Sequence, residues 1–193
     1  MNIAASIYNA TVVAACALSV LFSAANAQAK IPRAYVIVAE RHQVPVPVFY
    51  SVVLQESGLP RNGRFHPWPW TLNVDHKPYR FDTQQEAEAA LADFIAANHR
   101  IAVGLGQIYL PSHGHRFRNP VRLLDPRLNL EYAAHLLAFE YQWTHRNGGG
   151  NWWTAAGRYH APSNPVAAAE YRRRVFERCR KLELPCEAFG ALI

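Results

Sequence analysis

Apolar residues in this chain recur mainly at the spacing of an α-helix, and proline and glycine mark where the helices should begin and end. One helix shows the pattern well. Pro47 suits its first turn, Phe49, Val52 and Val53 lie along one face, and Gly58 follows its last residue. This spacing predicts a mainly α fold.

The same signals predict six helices in all. Their approximate bounds are residues 33–42, 47–57, 84–98, 126–144, 152–159 and 166–181. The segment 59–81 is rich in proline and aromatic residues and is expected to be irregular. Half of the 193 residues are hydrophobic and no repeat or low-complexity linker divides them, so we expect one domain over residues 28–193.

Residues 1–27 have the pattern of a cleaved signal peptide. An uncharged apolar run over residues 10–22 is followed by Ala25-Asn26-Ala27, which favours cleavage after Ala27 and export to the periplasm. A retained membrane anchor is the alternative, although the run is shorter than the roughly 20 apolar residues of a membrane span. Lipidation of Cys16 is less favoured, because the apolar run continues past it.

Export changes the interpretation of the cysteines. If Cys16 leaves with the signal peptide, Cys179 and Cys186 remain as an even pair in an oxidising compartment. We expect them to form a structural disulfide that closes a short C-terminal loop. Two unrelated buried thiols are the alternative.

The formal net charge of +6 suits an exported protein that acts on an anionic polymer such as the cell wall. Nucleic acid is not expected as a partner, because the lysines and arginines are scattered along the chain. The one dense cluster is interpreted as the solvated face of the last helix; it consists of Arg172, Arg173, Arg174, Arg178, Arg180 and Lys181.

Glu56 is the most informative single residue. It occupies the next position on the apolar face formed by Phe49, Val52 and Val53, where burial should favour the neutral carboxyl and raise its pKa. A carboxylic acid that stays protonated near neutral pH can donate a proton to the leaving oxygen of a sugar. The alternative is a structural ion pair between a buried glutamate and an arginine.

Three ordered motifs resemble those of the soluble lytic transglycosylase (goose-lysozyme-like) family. They are Glu56-Ser57-Gly58, Gly104-Leu105-Gly106-Gln107-Ile108 and Ala155-Ala156-Gly157-Arg158-Tyr159-His160-Ala161. The corresponding family motifs are approximately Glu-Ser-Gly, Gly-Leu-Met-Gln-Ile and Ala-Tyr-Asn-Ala-Gly. The resemblance covers about residues 34–180 and implies a lysozyme-like helical domain that cleaves peptidoglycan glycan strands without a cofactor.

The resemblance also implies roles for individual residues. Glu56 would be the catalytic acid and base, and Ser57 would lie beside it. Gln107 would bind an N-acetyl sugar, and the Tyr159 hydroxyl would lie near the carboxyl of Glu56. Two departures from the family pattern are Gly106 in place of methionine, and His160-Ala161-Pro162 in place of Asn-Ala-Gly.

Within that family, the chain most resembles transglycosylases carried with conjugative or integrative element transfer systems. This resemblance implies a type IV secretion or conjugation apparatus as a partner. Those proteins have a Pro-Trp-Pro-Trp-Thr-Leu-Asn segment between the first two motifs, as this chain has over residues 67–73. Trp70 and Asn73 of this aromatic-rich insertion are candidate substrate contacts. Trp152 or Trp153 is expected in the core.

Two other functions stay open. A hydrolytic lysozyme would need a second carboxylate, for which Asp75 and Asp82 are the candidates. A non-catalytic glycan-binding component of a secretion or conjugation machine is the other alternative. No metal site is expected, because His113-Gly114-His115 has no partner at the spacing of zinc ligands.

Overall fold

The structure is a computed structural model, and it describes residues 31–61 and 63–192. Within them lie seven α-helices: α1 (Arg33–Arg41), α2 (Val46–Ser57), α3 (Gln84–Ala96), α4 (Leu110–His113), α5 (Pro126–Gly148), α6 (Trp152–His160) and α7 (Pro165–Lys181). The strands are β1 (Gly58–Arg61), β2 (Arg64–Pro67), β3 (Thr71–Val74), β4 (Lys77–Arg80), β5 (Ile101–Val103) and β6 (Ile108–Tyr109). The mainly α prediction is therefore confirmed.

The six predicted helices are all present, with ends within a few residues of those expected. Helix α3 begins at a capping box in which the Thr83 side chain accepts from the Glu86 backbone and the Glu86 side chain accepts from the Thr83 backbone. Helix α5 begins at Asp125, whose carboxylate accepts from two backbone N–H groups. The sequence did not predict α4, a single turn of helix.

Helix α2 lies at the centre of the described structure. Nearly all of its side chains are buried, including those of Val48, Phe49, Tyr50 and Leu54, and it packs against α1, α6 and α7. A helix that is hydrophobic on all sides has neighbours on all sides. Its last turn therefore brings Glu56 into the interior rather than to the surface.

The segment 59–81 was predicted to be irregular, and that prediction is wrong. It forms two antiparallel hairpins, β1–β2 and β3–β4. Strand β3 also pairs with β5, with Leu72 opposite Val103, which completes a four-stranded sheet in the order β4-β3-β5-β6. The strands have two to four residues and three contain proline, so local alternation is too short to identify them.

One hydrophobic core joins the helices to the four-stranded sheet, through residues such as Phe49, Leu72 and Val103. Trp153 is completely buried in it, while Trp152 stacks on Tyr141 at its edge, with the ring centroids 3.8 Å apart. No helix among residues 31–61 and 63–192 has both the length and the hydrophobicity of a membrane span. The predicted signal peptide and its cleavage after Ala27 lie outside these residues.

Cys179 at the end of α7 and Cys186 form a disulfide with their Cα atoms 5.9 Å apart, which is the pairing that the sequence predicts. Both cysteines are completely buried, and the Trp153 indole nitrogen donates to the Cys186 carbonyl over 3.2 Å. The bridge therefore attaches the C-terminal segment to the helices that surround α2.

Candidate active site

An open cleft of about 350 Å³ lies between two walls. We call the side formed by Glu56, Tyr159, His160 and Tyr171 the helical wall, since these residues lie on α2, α6 and α7. We call the side formed by Asn73, Asp75, Arg100 and Gln107 the sheet wall, since these residues lie in or next to β3, β5 and β6. All of them except Tyr171 line the cleft directly.

Glu56 is the acid of the helical wall. Only 13% of its side chain is exposed, and burial raises the pKa of Glu56 from its usual value of 4.5 to about 7. The hydrogen bond from Tyr171 and the charge of Arg174 act in the opposite direction and limit the rise of the pKa. The carboxyl is therefore divided between its protonated and ionised forms near neutral pH, as an acid that later acts as a base requires.

The Tyr171 hydroxyl donates a hydrogen bond to Oε1 of Glu56. Tyr171 lies on the buried face of α7, and burial together with the nearby carboxyl raises the pKa of its phenol well above the usual value. The phenol therefore stays protonated and acts as a fixed donor to Oε1. Protonated Glu56 consequently carries its own proton on Oε2, the oxygen that is left to donate into the cleft.

His160, the last residue of α6, covers Tyr171. Its imidazole is stacked on the Tyr171 ring with the centroids 4.4 Å apart and the planes within 6° of parallel. Its Nδ1 lies 4.0 Å from Oε1 of Glu56. Burial and the positive charge of Arg174 lower the pKa of His160, which favours the neutral imidazole.

Tyr159 approaches the second motif instead of binding Glu56 directly. Its hydroxyl donates to the Gly106 carbonyl over 2.6 Å, and burial raises the pKa of the phenol well above the usual value, followed by the effect of the Glu56 charge. A Cβ on residue 106 would lie 2.5 Å from Cβ of Ala133 and 2.9 Å from the Tyr159 hydroxyl. Glycine at this position is thus explained by close packing, since the methionine of the family motif would not fit.

Gln107 has a fixed amide group. Its Nε2 donates to the Gly104 carbonyl at 2.9 Å and approaches the Thr71 carbonyl at 3.4 Å. The residue also has a left-handed backbone, with φ of 48°, in the turn between β5 and β6. Since the amide hydrogens face the backbone, Oε1 is the atom of the side chain that can accept a hydrogen bond from a ligand.

Asn129 fixes the turn between β5 and β6 through three hydrogen bonds. Its Oδ1 accepts from the Gly106 backbone at 2.7 Å, and its Nδ2 donates to the Val103 and Leu123 carbonyls, each at 2.8 Å. The side chain is almost completely buried. Asn129 therefore fixes the position of Gln107 in the cleft without touching the cleft itself.

Asp75 is the carboxylate of the sheet wall. Its Oδ2 lies 2.6 Å from Nδ1 of His99, and its Oδ1 accepts from the Arg100 backbone at 3.2 Å. These hydrogen bonds lower the pKa of Asp75, and the one from His99 has the larger effect. Asp75 is thus an ionised group on an exposed turn, opposite in character to Glu56. Asp82, the other candidate for a second carboxylate, is not one of the residues that line the cleft.

The structure assigns different positions to the three remaining predicted contacts. Asn73 on β3 lines the cleft, as expected of a substrate contact. Ser57 does not: it is completely buried, and its hydroxyl donates to the Val53 carbonyl of its own helix over 3.0 Å. Trp70 is not a lining residue either, because it packs against the core in an edge-to-face contact with Trp68. The predicted roles of Ser57 and Trp70 are corrected accordingly.

Tyr171, Arg174 and Asn129 were not predicted as site residues. A polar residue on the apolar face of a helix is the signal that singled out Glu56, and it is also present here. Tyr171 precedes the buried Val175 by one turn, and Asn129 precedes the buried Ala133 by one turn. Arg174 was assigned to a solvated face; its guanidinium is exposed but lies 5.9 Å from the Tyr171 ring and acts on Glu56.

Comparison of the chain with protein-family models, with curated proteins and with solved structures gives no match.

Proposed function

We propose that this protein is a lytic transglycosylase that cleaves the β-1,4 bond between MurNAc and GlcNAc in peptidoglycan and leaves 1,6-anhydro-MurNAc ends. The observation that carries the proposal is the state of Glu56. A single carboxyl with a pKa of about 7 lies at an open cleft, with one oxygen bonded to a buried phenol. Such a group can donate a proton and later accept one at the same pH.

The reaction follows from that arrangement. Protonated Glu56 donates from Oε2 to the glycosidic oxygen, and the bond from this oxygen to C1 of MurNAc breaks. The N-acetyl group of the substrate supports the positive charge that develops at C1. Ionised Glu56 then removes the proton of the C6 hydroxyl, and the C6 oxygen bonds to C1. This step closes the anhydro ring and restores the protonated carboxyl of Glu56. One carboxyl is sufficient, and no water is consumed.

The sheet wall would bind the sugars. The Gln107 oxygen is available to accept from a sugar hydroxyl or from an acetamido N–H, and Asn73 lines the same cleft. Arg100, His76 and His113 line the same cleft. A cleft of this character favours a polyhydroxylated and anionic polymer, which agrees with the net charge of +6.

The location and the architecture belong to the same proposal. The apolar run and the Ala25-Asn26-Ala27 site support export to the periplasm, where the substrate is found. The buried carboxyl at the end of a central helix, facing a small antiparallel sheet, supports a lysozyme-like domain in which segment 59–81 is an insertion. A conjugation or type IV secretion apparatus is the partner that the insertion suggests.

A hydrolytic muramidase is the second candidate, because Asp75 lines the same cleft as Glu56. An ionised carboxylate across the cleft could activate water for attack on C1. Both oxygens of Asp75, however, accept hydrogen bonds or ion pairs from His99 and Arg100. Because both oxygens already have partners, a structural role for Asp75 is favoured. The transglycosylase therefore remains the first candidate.

Mass spectrometry of digested peptidoglycan tests the proposal. We expect new muropeptide ends that are one water lighter than lysozyme products and that do not change on borohydride treatment, because they lack a reducing group. New ends that take up hydrogen would establish the muramidase instead. A protein that binds peptidoglycan but releases no fragments, and gives no clearing on a peptidoglycan gel, would be a non-catalytic component.

A further inference from the structure

We propose that His160 is a positioning residue for Glu56, which it controls by holding the Tyr171 ring in place and by closing one side of the carboxyl to water. The inference rests on the proposed function only for its kinetic readout. The three side chains lie in a fixed order from the cleft inward. His160 is outermost, Tyr171 lies behind it, and Glu56 accepts from the Tyr171 hydroxyl.

The exposures establish that order. His160 lines the cleft with 44% of its side chain exposed, whereas Tyr171 is only 2% exposed. The two rings are nearly parallel and in contact. The imidazole therefore separates the phenol from the cleft, and a Tyr171 ring that lost this cover could swing outward and withdraw its hydroxyl from Oε1.

The backbone explains why the two rings meet. Helices α6 and α7 approach so closely at Gly157 that a Cβ there would lie 2.6 Å from the Ala168 carbonyl oxygen. His160 is one turn after Gly157 on α6, and Tyr171 is one turn after Ala168 on α7. The small residues Gly157 and Ala168 thus permit the close approach of α6 and α7, the two helices that carry the stacked rings.

His160 acts through position and not through a proton of its own. Its Nδ1 is 4.0 Å from Oε1, beyond hydrogen-bond distance. The charged and titratable groups that face it are Glu56 from α2 and Tyr171 and Arg174 from α7. Burial and the charge of Arg174 both oppose protonation of the imidazole, which disfavours a second positive charge beside Glu56.

A carboxyl-carbon NMR titration of glutamate-labelled protein measures the effect directly, with the Glu56 signal assigned by its absence in Glu56→Gln. In His160→Ala, water should reach Oε1 and relieve the burial that raises the pKa, while a displaced Tyr171 hydroxyl would act in the opposite direction. Because burial is the larger of the two influences on Glu56, the midpoint should fall from about 7 by about one unit. His160→Asn, which has a polar group but no ring of its own, should behave like the alanine variant. His160→Phe restores a stacked ring and should recover most of the loss.

His145→Ala is the matched control. It removes an imidazole stacked on a different tyrosine, Tyr141, at a ring distance of 6.0 Å, and His145 does not line the cleft. The Glu56 midpoint should not change in this variant. Thermal unfolding of each protein should show that the ring at position 160, which is partly exposed, is not needed for folding.

Kinetics provide the second readout. We expect kcat of His160→Ala to fall about tenfold with KM unchanged, together with a pH profile displaced in the direction of the NMR midpoint. An unchanged or raised Glu56 midpoint in His160→Ala would overturn the proposal, and so would a phenylalanine variant as impaired as the alanine. If no variant and no wild-type protein cleaves peptidoglycan, the proposed function fails, while the titration still decides the role of His160.

Discussion

The two walls of the cleft have opposite effects on their titratable groups: the helical wall favours neutral forms, and the sheet wall favours an ionised carboxylate. On the helical wall, burial raises the pKa values of Glu56, Tyr159 and Tyr171 and lowers that of His160, so every titratable group is moved toward its neutral form. On the sheet wall, hydrogen bonds lower the pKa of Asp75 and hold it ionised on an exposed turn. The proposed function assigns proton transfer to the first wall and recognition of charge to the second.

The difference arises from the elements that build each wall. Glu56 lies in the last turn of a helix that other helices surround, which leaves only 13% of its side chain exposed. Asp75 lies in the tight turn between β3 and β4, where it and His76 both have positive φ, and its partners are exposed. Two carboxyls on the same cleft thus differ in protonation because of their surroundings and not their chemistry.

Exchanging the two carboxyls for amides is the strongest test of this division. Glu56→Gln should fold normally and lose activity by about a thousandfold, because the amide retains the shape but cannot transfer a proton. Asp75→Asn should reduce activity by no more than about tenfold if Asp75 serves binding or structure. Fragment release from purified peptidoglycan measures both. An Asp75 variant as inactive as the Glu56 variant would point to a hydrolase.

The pH dependence of stability tests the buried acid without any substrate. Because the folded protein raises the pKa of Glu56 from 4.5 to about 7, the stability linked to this group is complete below pH 4.5 and is lost as the pH rises through 7. The loss amounts to about 3 kcal/mol at most. Urea unfolding should therefore show that Glu56→Gln gains stability relative to wild type between pH 4 and pH 8. A constant difference would contradict the raised pKa.

The disulfide tests how rigid the helical wall must be. Replacing Cys179 and Cys186 together by serine should lower the free energy of unfolding by about 2.5 kcal/mol, since the bridge closes a loop with a sequence separation of 7. Activity at 25 °C should fall less than stability, because the bridge lies at the far end of α7 from Tyr171. Intact mass should show two hydrogens fewer in the native protein, and two freely alkylatable thiols would disprove the pairing.

The smallest expected effect concerns Tyr171→Phe. Removing the phenol deletes the hydrogen bond that lowers the pKa of Glu56, so the midpoint should rise above 7, and kcat should fall about tenfold. A pH profile of kcat measures both effects, with Tyr141→Phe as the control, because Tyr141 packs at the edge of the core and does not line the cleft. A midpoint that falls, or does not change, would show that the phenol does not control the acid.

The sequence predicted the helices well because each carries its own start and stop signals. Asp125 and Thr83 cap α5 and α3, and the glycines after α2 and α5 lie at their ends. It failed on segment 59–81, because the pairing of β3 depends on β5, nearly thirty residues further along the chain. Strands of four residues have too little pattern of their own to predict such a partner.

The same distinction applies to the site. The position of Glu56 on an apolar helix was sufficient to predict a buried acid, since burial on a helix follows from spacing alone. The other features of the site depend on how α2, α6, α7 and β3 pack. These features are the hydrogen bond from Tyr171 to Glu56, the cover of Tyr171 by His160, and the positions of Ser57 and Trp70 away from the cleft. Contacts between residues 115 positions apart, such as Tyr171 and Glu56, are decided by tertiary packing, because no local preference can specify them.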